Sequence, residues 1–101
     1  MSTRYEPYHY LRDALDWQGP EGLKENGYLL LRELGRIYGK TSHEVGAKLK
    51  DLNVRNEDGR PIERAFTLRL VAPRGYPKFT WAWHQQRTCA LLEREAGWRK
   101  S

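Results

Sequence analysis

A chain of 101 residues is enough for one domain. With 12% aromatic residues and four tryptophans it can build a core although only 39% of its residues are hydrophobic. No apolar run approaches the roughly 18 residues of a membrane span, MSTRYEPYHY lacks the basic-then-apolar order of a secretory signal, and a single cysteine, Cys89, excludes an internal disulfide. The expected setting is therefore cytoplasmic.

Net charge is +5 at pH 7. Residues 1–27 hold three basic and five acidic side chains, a balance of −2, whereas residues 28–101 hold fifteen and eight, a balance of +7. The chain divides accordingly into an N-terminal helix and linker, 1–27, and a basic domain, 28–101. A positive surface favours polyanions through counterion release, and it equally suits an acidic protein partner.

In chain order, Tyr8 to Trp17 reads as a helix with Leu11, Ala14 and Leu15 on one face. Gly19-Pro20-Glu21-Gly22 then breaks it, leaving residues 18–27 as a linker. A second helix is predicted from Tyr28 to Tyr38, its apolar stripe made by Leu30, Leu34, Ile37 and Tyr38. Gly39 is suited to the left-handed residue that closes it. Thr41-Ser42-His43-Glu44 is a capping-box pattern opening a helix from Ser42 to Leu52 that buries Val45, Leu49 and Leu52. Gly46 and Ala47 allow a neighbour to approach closely. An Asp58-Gly59 turn follows, then a helix begun by Pro61 with Ile62, Phe66 and Leu70 buried, stopped at Pro73. Arg74 to Lys78 reads as the tip of a hairpin or wing. Phe79, Trp81 and Trp83 alternate with Thr80 and Ala82 as in a half-buried strand, and a last helix covers His84 to Glu95.

The pair of helices around Gly39 fits a helix-turn-helix. Gly35 supplies the small residue of the first helix, Gly39 the turn and Val45 the apolar residue of the second. The fold class expected is thus α+β, a small winged helix-turn-helix, mainly helical with a short β-hairpin or wing. Its second helix would lie in the major groove of duplex DNA with its N-terminal residues nearest the base edges. Ser42, His43 and Lys50 are the candidate base readers. Lys40 and Thr41 would meet phosphate at the helix N-terminus. Lys48, Lys50, Arg55, Arg60 and Arg74 are further phosphate contacts, and Arg74 and Lys78 would let the wing touch phosphate or the minor groove.

Other chemistry is poorly represented. Phe79, Trp81 and Trp83 are able to stack on single-stranded bases, but their alternation favours an inward, core-packing face. His9, His43 and His84 are too scattered for a metal site. Cys89 falls on an apolar helix face and reads as a packing residue. No phosphate loop, nucleophile elbow or carboxylate pair is present, so neither enzyme activity nor a cofactor is expected.

The segment LLRELGRIYGKTSHEVGAKLKDLNV, the Gly59 turn, the FTWAW strand and the closing helix together resemble C-terminal domains of phage antirepressors and related mobile-element winged-helix domains. The likeness runs from Tyr28 to Gly97. It implies DNA binding or protein-mediated regulation without catalysis. The chain departs from that pattern in the helix predicted from Pro61 to Leu70, where a strand-rich connection is usual. The reading is a phage or bacterial transcriptional regulator binding duplex DNA, with a homodimer built on Tyr5, Tyr8, Tyr10 and Trp17. The alternative is a small interaction module or phage inhibitor whose basic face meets an acidic protein.

Overall fold

The computed structural model describes residues 20–75 and 79–101. Among these, five helices and a three-stranded antiparallel sheet make a small α+β domain. The order is α1 (Pro20–Glu25), β1 (Tyr28–Leu29), α2 (Leu31–Tyr38), α3 (Ser42–Asp51), α4 (Glu63–Thr67), β2 (Val71–Arg74), β3 (Thr80–His84) and α5 (Gln85–Glu95). The helix expected from Tyr8 to Trp17, the aromatic N-terminal segment with His9, and Tyr76 to Lys78 lie outside the described residues.

The sheet has the order β1-β3-β2. Trp83 is paired on both sides, to Leu29 of β1 and Val71 of β2. That double pairing explains the first departure from expectation: Tyr28 and Leu29 are strand, and α2 begins only at Leu31. Leu30 sits extended between them, and its N–H donates to the Glu33 carboxylate at 2.9 Å.

Pro20 opens a helix where a linker is expected, consistent with proline in a first helical turn. Leu23 of α1, only 1% exposed, joins Tyr28, Ala72 and Ala82 in a small cluster on one face of the sheet. The alternating FTWAW strand is therefore covered on both faces near its end. Trp83 and Val71 belong to the main core, with Leu34, Val45, Leu49, Val54, Leu91 and Leu92.

Several local expectations are met. Gly39 has φ 66°, in the left-handed region. Thr41 Oγ1 accepts from the Glu44 N–H at 3.1 Å, and the Glu44 carboxylate accepts from the Thr41 N–H at 3.0 Å, completing the capping box. Val45 and Leu49 are buried, as is Cys89 of α5, whereas Leu52, expected to be buried, follows the last residue of α3 and is only partly buried. Gly35 is held to its size: a Cβ there would run into the Lys40 carbonyl oxygen, so α2 and the turn leading to α3 touch through backbone.

Two expectations are corrected around residue 70. The helix after Pro61 is short. It ends because Arg69 takes φ 56° and the Leu70 N–H turns back to the Ala65 carbonyl at 2.8 Å. Pro73 does not stop a helix. It lies in β2 opposite Trp81, on an edge strand where its missing N–H costs little. At the other end of the domain, Trp98 stands edge-on to Tyr38 at 5.4 Å and the Ser101 N–H donates to the Ile37 carbonyl, folding the tail back onto α2.

Candidate functional site

A cleft of about 440 Å³ opens between the N-terminal ends of α2 and α3 on one side and the β2–β3 hairpin on the other. Arg32, Arg55 and Arg74 line it together with Ser42, Phe79 and Trp81, and among the described residues no carboxylate does. Among the described residues none of the three guanidinium groups has a carboxylate within 4 Å. Each arginine comes from a different element, so only the tertiary fold assembles this charge.

Arg55 is delivered by the chain reversal after α3. Asn53 adopts φ 61°, and asparagine is among the few side chains that accept this region readily. The Val54 N–H donates to the Leu49 carbonyl and the Val54 side chain is fully buried, which anchors the reversal. Arg55 then runs back over α3. A Cβ at Gly46 would lie 2.7 Å from Arg55 Nη1, and one at Gly59 would lie 2.9 Å from Nη2. The guanidinium thus rests between two bare backbones. The following turn is closed by Asn56, whose side-chain oxygen accepts from the Asp58 and Arg60 N–H groups at 3.0 and 2.9 Å.

The aromatic rim is ordered by edge-to-face contacts. Trp81 meets Phe66 at 5.6 Å and Phe79 at 5.7 Å, both with rings 85° apart. The expectation that Phe79, Trp81 and Trp83 all face inward holds fully only for Trp83; Trp81 is half-buried, and Phe79 is 60% exposed. Phe79 stands just ahead of β3, outside the paired residues that face the core.

Of the residues singled out in the sequence, the cleft brings together Ser42, Arg55 and Arg74. The others are dispersed. Lys40 lies over the Trp98 ring, 5.3 Å from its centroid. Thr41 is occupied by its reciprocal bonds with Glu44, whose carboxyl is held below the ordinary range first by the Thr41 N–H. Lys48 is 3.6 Å from Asp51 and Lys50 is 3.7 Å from Glu57. Such exposed pairs are weak and exchangeable, but they place a carboxylate beside each cation. His43 and Arg60 are exposed. Lys78 is outside the described residues.

Arg32 and the exposure of the aromatic rim are not among the features that the sequence pointed to. The late start of α2 at Leu31 puts Arg32 in the first helical turn, at the cleft. A usable signal for Phe79 was its place just ahead of the paired residues Thr80 to His84. Comparison with protein-family models, with curated proteins and with solved structures gave no match. Among the described residues no helix is long and apolar enough to cross a membrane.

Proposed function

We propose that this chain is a small winged helix-turn-helix protein that binds duplex DNA and acts as a phage or bacterial transcriptional regulator in the cytoplasm. The reading carries no catalytic step and no cofactor. In it α3 lies in the major groove with Ser42, His43 and Lys50 toward base edges, while the β2–β3 hairpin is the wing. The order β1-α2-α3-α4-β2-β3, in which the short α4 is inserted ahead of the hairpin, with sheet order β1-β3-β2 supports it. So does the backbone-to-backbone turn at Gly35 and Lys40.

The observation that carries the reading is the cluster of Arg32, Arg55 and Arg74 beside the start of α3, without a carboxylate among the described residues that line the cleft. Guanidinium groups with no carboxylate partner among the described residues, on a net-positive domain, favour phosphate. In the functional set, Arg55, Arg74 and Arg32 take the phosphate contacts at the cleft. Lys48 and Lys50 on α3, each with a carboxylate beside it, and the exposed Arg60 add weaker ones.

The test is fluorescence anisotropy with random duplex DNA at about 50 and 200 mM salt. Binding at the lower salt that collapses at the higher one supports the reading. Absence of binding at low salt sinks it. The exposed Phe79 at the cleft rim favours a second reading, in which the same face takes an acidic protein and Phe79 is its aromatic anchor.

A further inference from the structure

From the shape of the cleft we infer that it seats an unpaired nucleotide of a DNA strand, phosphate on Arg55, Arg32 and Arg74 and base against Phe79 and Trp81. This rests on the DNA-binding reading and goes beyond it, since a duplex-only protein has no use for a concave aromatic site.

Three features carry the inference. The first is chemical pairing. The cleft sets three arginines, none with a carboxylate within 4 Å among the described residues, against an aromatic rim, and a nucleotide is an anion joined to a planar π-face. The second is exposure. Phe79 leaves 60% of its surface in water at the hairpin mouth, a surface that a stacked base would cover. Bases inside a duplex present only their edges, so an aromatic face serves a base that is out of the stack. The third is preorganisation. Trp81 is fixed by edge contacts to Phe66 and Phe79 on either side, and Arg55 is seated on Gly46 and Gly59. The volume of about 440 Å³ falls in the range of small-ligand sites, about 300–1,000 Å³.

The experiment titrates the full chain with four probes: oligothymidylate of about eight nucleotides, a blunt duplex, thymidine monophosphate and oligoglutamate. Anisotropy reports binding, and tryptophan quenching compared with W81F reports stacking. Oligothymidylate is expected to bind and to quench Trp81. F79A, with its melting temperature measured alongside to check the fold, is expected to weaken oligothymidylate about tenfold and the blunt duplex far less.

Duplex binding without oligothymidylate binding overturns the inference and leaves the DNA-binding reading standing. Loss of both overturns both. An F79A effect equal on single strand and duplex also overturns it. Saturation by thymidine monophosphate at the concentration that saturates with the oligomer overturns the strand as ligand, in favour of a free nucleotide. Displacement by oligoglutamate as effective as by oligothymidylate overturns it in favour of an acidic protein.

Discussion

The guanidinium of Arg55 lies against the bare backbone of Gly46, so close that a Cβ on Gly46 would stand 2.7 Å from Nη1. A glycine in the middle of α3 costs about 1 kcal/mol of helix stability relative to alanine. Here it makes room for a cation that has no carboxylate partner among the described residues. The relationship ties the helix to the cleft, and it separates stability from binding.

Gly46→Ala should therefore act in opposite directions on the two. The added methyl meets only the far end of a flexible side chain, so Arg55 can swing away at little cost while the helix gains propensity. Thermal melting is expected to be unchanged or slightly raised, and duplex affinity to fall several-fold. A large loss of stability would show that Arg55 is locked in place by more than this contact.

Gly35→Ala should behave differently, because the clash there is with the Lys40 backbone carbonyl. Neither side can yield without opening the turn between α2 and α3. Urea unfolding is expected to show a loss of about 1–3 kcal/mol. An unaffected midpoint would mean that the turn tolerates a displaced α3.

Thr88 on α5 is fully buried, and its hydroxyl has no hydrogen-bond partner among the described residues. Thr88→Val keeps the shape and removes the orphaned polar atom. It should raise stability by about 1 kcal/mol in urea unfolding. A loss of stability instead would reveal that the hydroxyl is bonded.

His84 caps α5, its Nδ1 accepting from the Arg87 N–H at 3.2 Å. Burial, and then the nearby Arg87 charge, hold its pKa below the ordinary imidazole value. A base with a depressed folded-state pKa binds fewer protons folded than unfolded. Its contribution is complete above about pH 6.5 and is lost as pH falls through the window from there down to the folded-state value. Melting temperature is expected to start declining below about pH 6.5, ahead of the carboxylate range in which Glu44 and Glu95 act. His84→Asn, which can still cap, should flatten that early decline. An identical pH profile in the variant would remove His84 as its source.

Local features were readable from sequence because neighbours in the chain decide them. The Thr41–Glu44 capping box, the left-handed Gly39 and the Val45–Leu49 stripe all depend on residues within a turn or two. Features settled by distant pairing were not. Tyr28 and Leu29 carry a helix-compatible pattern, but Trp83 and His84 claim them for the sheet. Pro73 has the look of a helix stop until it is seen opposite Trp81 on an edge. The cleft follows the same rule. Arg55 and Arg74 were identifiable as cations, but their meeting with Arg32 and the aromatic rim requires the hairpin to fold beside α2 and α3.

If the cleft arginines neutralise DNA phosphates, the salt dependence of binding measures it without intermediary. The slope of log affinity against log salt for a duplex should be smaller in magnitude for R55A/R74A than for the unsubstituted chain. The expected reduction is about 2, near 0.9 for each phosphate that the double variant leaves unneutralised. An unchanged slope, or an unsubstituted chain that does not bind duplex even at low salt, would contradict the assignment of these arginines to DNA.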